Sequence, residues 1–193
     1  MSGDLRSLIP CVLLWGLLPV WVLAGIADYV LHRRTSIEKT SGFGESALHV
    51  LQAAQVAVPL LAGLFLEINS LVLGVMIVCV IAHMLTALWD TTYTTPRRFI
   101  SAFEQHVHSH LEYIPVVAVL LVVLLHWEAF IGLFGAGEGS ASFSLHLKSE
   151  PIPLRYVYGV LVPVFLIQGV LLAEESLRTW RAASKTRATT NTG

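Results

Sequence analysis

The sequence predicts an all-α protein: a polytopic membrane bundle of about five transmembrane helices with a cytoplasmic interfacial helix. Three observations predict it. Of 193 residues, 55% are hydrophobic and only 13% charged, the mean hydropathy is +0.70, and five apolar stretches approach the roughly 20 residues that a spanning helix needs. This balance lies outside that of a soluble domain, so the solvent for most of the chain is lipid.

The first stretch, 8–31, is longer than the apolar core of a secretory signal peptide, about 7 to 15 residues, and runs directly into Asp28 and His32, so it is expected to be a retained helix. Stretches 47–66 and 71–88 follow. Residues 96–113 are too polar to cross a bilayer. Yet Phe99, Ile100, Phe103, Val107 and Leu111 recur at helical spacing, as in a helix lying at the interface. Stretch 114–133 contains His126, Trp127 and Glu128, with Trp127 expected as an interfacial anchor rather than part of a site. Stretch 152–173 is the fifth span. Residues 1–181 thus form one transmembrane domain, and 182–193, rich in Thr, Ala and Ser, are expected to be a disordered tail.

Basic residues set the orientation. Arg33, Arg34 and Lys39, then Arg97 and Arg98, then Arg178, Arg181, Lys185 and Arg187 fall on one side, whereas the other side carries Arg6 and, in the Gly/Ser-rich loop 135–151, Lys148. The positive-inside rule then places the amino terminus outside and the carboxyl terminus in the cytoplasm, in a bacterial inner membrane or an equivalent one. Cys11 and Cys79 lie within spans and imply no disulfide framework. No basic face with interleaved aromatics marks a nucleic-acid partner.

Ionisable residues inside spans cost roughly 2.5–3.5 kcal/mol each on insertion scales, so they point to a site with partners. Asp28 and His32 are four apart at the end of span one, hence on one helix face; Glu45 and His49 repeat the arrangement at the start of span two. His83 and Asp90, seven apart, share a face of span three. In EQHVHSHLE, His106 and His110 share one face, a recurrent metal clamp, while Glu104, His108 and Glu112 fall on another. Four segments thus deliver carboxylates and imidazoles to one cytoplasmic layer.

Mixed His and Asp/Glu ligation suits Fe, Mn or Zn, and the lack of a Cys set disfavours iron–sulfur and structural zinc sites. The candidate ligands are Asp28, His32, Glu45, His49, Asp90, His106 and His110, with His83 as the deepest addition. Their number favours two ions, because one ion takes about four to six ligands. Glu104, His108, Trp89 and Tyr93 are expected around the site as supporting or wall residues, with Arg97 and Arg98 near a substrate's polar head; His146 reads as an ordinary loop residue.

Apolar helices followed by histidine clusters, and the segment HVHSH with His106 and His110 at HxxxH spacing, resemble the integral membrane fatty acid desaturase and hydroxylase superfamily. The resemblance implies two irons, dioxygen, attack on a C–H bond of a lipophilic substrate, and an external electron donor such as a ferredoxin or cytochrome. This chain departs from the superfamily in lacking its two HxxHH boxes, and in Asp28/His32 and Glu45/His49 a carboxylate stands where a histidine would. The ligand chemistry is therefore closer to that of soluble di-iron carboxylate proteins. No dinucleotide-binding glycine fingerprint is present, so electrons would come from outside the chain.

Three other readings stay open on the residues alone. One is a zinc-dependent membrane hydrolase with Glu45 or Glu104 as general base. A second is a haem protein with iron between paired histidines. The third is an ion or proton path through a transporter, although the polar groups gather at one face.

Overall fold

The computed structural model describes residues 2–136, 142–150 and 152–190. Among them the regular structure is helical. Helix α1 (Ser2–Cys11) continues through a π turn, Val12–Leu17, into α2 (Leu18–Thr35), and then come α3 (Gly42–Phe65), α4 (Ser70–Thr94), α5 (Ala102–Leu125) and the short α6 (Trp127–Gly132). The short α7 (Leu154–Tyr156) leads through a second π turn, Val157–Leu161, into α8 (Val162–Thr190). Five segments are long and apolar enough to cross a membrane: Arg6–Thr35, Gly42–Phe65, Ser70–Thr94, Ala102–Leu125 and Leu154–Thr189. The chain is an integral membrane protein.

Two expectations change. Residues 102–113 are not a separate interfacial helix but the first three turns of α5, which passes through Pro115 without a break. Their polar side is covered by the other helices, with Glu104 and Val107 buried, so the segment can continue inward. Residues 182–190 are not a loose tail but the last turns of α8, and 191–193 lie outside the described residues.

The principal contacts run from α2 to α5, α4, α3, α8 and back to α2, closing a ring. Burial is inverted relative to a soluble protein. Val78 is 65% exposed on the outer surface, while Glu45 inside is 0% exposed. That contrast is what lipid solvation of the outside and polar pairing of the inside require. Packing comes from close contact rather than water exclusion, since lipid tails are as apolar as the side chains. Val72, Leu73, Met76 and Val80 of α4 lock with Val119 and Val123 of α5; Leu18, Leu64 and Leu161 join α2, α3 and the segment before α8.

Caps and small residues fix the helix starts and crossings. The Asn69 side chain accepts the Val72 N–H at the start of α4, and Ser101 accepts the Glu104 N–H at the start of α5. Ser36, at φ 52° and ψ 55°, turns the chain after α2, and Gly42, at φ 66°, supplies the next left-handed residue. At Gly25 a β-carbon would lie 2.7 Å from the Gln168 amide, so this glycine lets α2 and α8 approach; at Gly44 it would overlap the Tyr93 ring of α4.

Candidate metal centre

At one end of the ring, each of the five long helices contributes one buried carboxylate: Asp28 from α2, Glu45 from α3, Asp90 from α4, Glu104 from α5 and Glu175 from α8. Three of them are the first member of an acid–imidazole pair four residues apart, Asp28/His32, Glu45/His49 and Glu104/His108. The four-residue spacing carries both side chains to the inner face of the same helix.

Glu175 joins two imidazoles. Its Oε2 lies 2.9 Å from His32 Nδ1 and its Oε1 2.9 Å from His49 Nδ1. The two rings stack, 4.8 Å between centroids and 3° between planes. His49 Nε2 faces Asp90 Oδ2 at 3.2 Å, and Gln52 donates to the same oxygen at 3.2 Å. His108 Nε2 lies 2.9 Å from Asp28 Oδ1. His32 Nε2 has Asp28, Glu45 and Glu104 oxygens at 3.4, 3.6 and 3.6 Å. Three groupings put one donor atom from each residue within 4.8 Å of the others: Asp28, His32 and His108; His32, His49 and Glu175; Glu45, His49 and Asp90.

Arg98 enters this cluster from the turn between α4 and α5. Its Nη2 donates to Glu45 at 2.5 Å and reaches Glu104 at 2.6 Å, and its Nε donates to Glu45 at 3.1 Å. Burial alone would lower the Arg98 pKa, but the hydrogen bonds and charges of Glu45 and Glu104 outweigh it and hold the guanidinium above its ordinary value. Ser41 donates to Glu45, and the Tyr93 hydroxyl donates to the Ser41 carbonyl at 3.1 Å. In a capping box the third-position acid reaches back to its own helix start. Here Glu104 turns to Arg98 instead, so the cap stays with Ser101 alone.

Asp28, His32, Glu45, His49 and Asp90 are therefore brought together. His106 and His110 are not. Their rings meet each other at 4.7 Å on the outer side of α5, and His110 Nδ1 bonds the His106 carbonyl at 2.8 Å. A helix shows one face inward, and that face carries Glu104 and His108, which had been expected only in support. His83 lies deeper along α4, its Nε2 3.3 Å from the Leu111 carbonyl. Trp89 faces outward, 59% exposed. Arg97 stacks over Tyr93 at 3.8 Å, while Arg98 is committed to the carboxylates rather than to a substrate head. Glu175 had no place in the sequence reading, which ended the fifth span two residues before it.

The donor set fits metal ions. Five carboxylates against the single guanidinium leave four negative charges on a site removed from water, to be offset by protons on the imidazoles or by bound cations. Both ring nitrogens of His49 face carboxylates, an arrangement that needs a second proton or a cation between the partners. Asp90 Oδ1 is buried and has no partner among the described residues. Two divalent ions would cancel the charge and take up these lone pairs.

A cavity of about 410 Å³ reaches the cluster at Asp28, His49 and Glu175, with Trp21, Val56 and Leu60 at its other end. A second, apolar cavity of about 350 Å³ shares those three residues and continues to His126 and Lys148. Compared with protein-family models, curated proteins and solved structures, the chain matches none.

Proposed function

We propose that this chain is a membrane oxidoreductase whose cluster holds two metal ions, iron before zinc or manganese, and which hydroxylates or desaturates a lipophilic substrate. The observation that carries the reading is the set of five buried carboxylates, one from each helix of the ring, facing three imidazoles and one fixed cation. Carboxylate and imidazole donors from facing helices are the means by which helical bundles hold paired metals. Asp28, His32 and His108 would hold one ion, and Glu45, His49 and Asp90 the other, with Glu175 between the His32 and His49 rings. When bound, two irons supply the reduction of dioxygen that C–H oxidation requires.

The chain's own residues do the rest. Gln52 orients Asp90, Ser41 and Arg98 orient Glu45, and the apolar cavity wall keeps water from the reacting carbon. By charge, the cluster end faces the cytoplasm. The exposed cations Arg33, Arg34, Lys39, Arg181 and Lys185 lie around that end and suit an acidic electron donor such as a ferredoxin or cytochrome. This reading keeps the expected likeness to membrane desaturases and hydroxylases in plan, with ligands closer to those of di-iron carboxylate proteins.

Metal analysis of the purified protein tests it. Two irons per chain, lost on Glu45→Ala and Asp90→Ala, are expected. Stoichiometric zinc with oxygen-independent activity would select the hydrolase instead, and full metal in both variants would end the proposal.

A further inference from the structure

The two cavities lie next to one another along α3. Trp21, Val56 and Leu60 line both, so the apolar cavity adjoins the one that ends on the cluster. Its far end is not apolar. Lys148 is clamped there by an extended pairing, its N–H donating to the Phe65 carbonyl at 2.9 Å, beside a bridge between Leu66 and Leu147. The Lys148 ammonium donates to the Gly63 carbonyl at 2.6 Å, which occupies one of its three donors. Burial lowers the Lys148 pKa, with Glu67 opposing. Glu67 is itself engaged by the Ser149 N–H and hydroxyl at 2.8 and 2.9 Å. His126, the other polar residue on this wall, is held below its ordinary pKa by burial and then by Lys148 and Arg6.

A half-buried ammonium with donors to spare, closing an apolar chamber, fits one ligand chemistry: a long alkyl chain with a carboxylate head. Each cavity lies within the roughly 300–1,000 Å³ range of small-molecule sites. Fourteen residues separate His49 from Gly63 on α3, about 21 Å at 1.5 Å per residue, the scale of an extended long acyl chain.

We propose that Lys148 anchors the carboxylate head of a single-chain amphiphile, whose alkyl chain runs past Trp21 to the wall formed by Asp28, His49 and Glu175. The reacting carbon is then at the end of the chain remote from the head. The anchor sits at the end of the bundle opposite to Arg97 and Arg98. This inference rests on the reading of the centre as one that acts on a lipophilic substrate.

Photolabelling of the metal-free full chain in detergent tests it with palmitate analogues that carry a diazirine at the tail end or beside the head. The tail-end probe is expected to mark Ala53 and Leu172, and the head-side probe Leu17, Leu64 and Ile152, both competed by palmitate. The corresponding alcohol should label at least about tenfold less, the loss expected of one charge-assisted hydrogen bond. Lys148→Ala should reproduce that loss on palmitate, and Lys148→Arg should keep the labelling. A reversed pattern, or equal labelling by acid and alcohol, overturns the proposal; the alcohol comparison needs no variant and decides even if Lys148→Ala fails to fold. Because no metal is present, a correct pattern in a protein that never binds metal removes the metal reading alone, whereas stoichiometric metal with a wrong pattern removes the anchor alone.

Discussion

Arg98 is the residue on which the cluster's charge turns. With its side chain buried between Glu45 and Glu104, its removal leaves two carboxylates without their cation. Breaking a buried pair in this way costs about 3–5 kcal/mol. Arg98→Gln is therefore expected to melt at markedly lower temperature in detergent, and added divalent metal should recover much of the loss; a variant as stable as the parent without metal would contradict the charge argument. The histidines of α5 provide the second residue-scale prediction. Glu104→Ala and His108→Ala should weaken metal binding by more than about tenfold, while His106→Ala and His110→Ala leave it unchanged, as measured by metal titration. Sequence reading favoured the opposite pair because HxxxH is a familiar clamp. The information that selects His108 was present in the repeated acid-to-histidine spacing of Asp28/His32, Glu45/His49 and Glu104/His108. Glu175 had no such signature, since its role depends on where α8 stands relative to His32 and His49.

At the scale of elements, hydropathy located all five spans, because lipid imposes a length and a composition on each helix independently of its neighbours. It could not locate the start of the fourth. The first turns of α5 are polar because they line the ring's interior, and only packing distinguishes that from a helix on the membrane surface. Close approach of helices gives a test of that packing. Gly44→Ala pushes a carbon into the Tyr93 ring and should destabilise by about 1–3 kcal/mol, the usual cost of overpacking, whereas Gly25→Ala meets the end of the flexible Gln168 side chain and should cost less. Thermal melts of the two variants measure the difference. The loop clamp at the other end responds to pH. Glu67 is held below the usual carboxylate range, first by the Ser149 N–H. A depressed folded pKa means that its contribution is present above the unfolded value and lost as pH falls through the folded one. The protection factor of the Ser149 amide, its exchange rate relative to an unstructured chain at the same pH, should therefore fall on acidification through that window, and in Glu67→Gln it should be low at neutral pH and unchanged by acid.

For the molecule as a whole, side-chain packing holds one half of the ring, while the other gathers five buried carboxylates against one guanidinium. An ion bound only to the folded ring stabilises it by about 2.7 kcal/mol at a free concentration roughly 100 times Kd. Chelation should therefore lower the melting temperature. It should also raise hydrogen exchange in the cluster-bearing ends of α2 and α8 before the Val72–Met76 and Val119–Val123 contact loosens. Uniform exchange along the helices would show that the acidic end is held by its protein partners alone.

The contribution of one carboxylate from each helix also bears on biogenesis. A chain that emerges amino end first completes four corners of the centre while α8 is still being synthesised, and Glu175 comes last. Until α8 docks, His32 and His49 lack the acid that joins them. If the proposed centre binds metal, its capture would be completed only when α8 docks, and a chain stopped after α6 would carry both ligand triads without the carboxylate that joins His32 to His49.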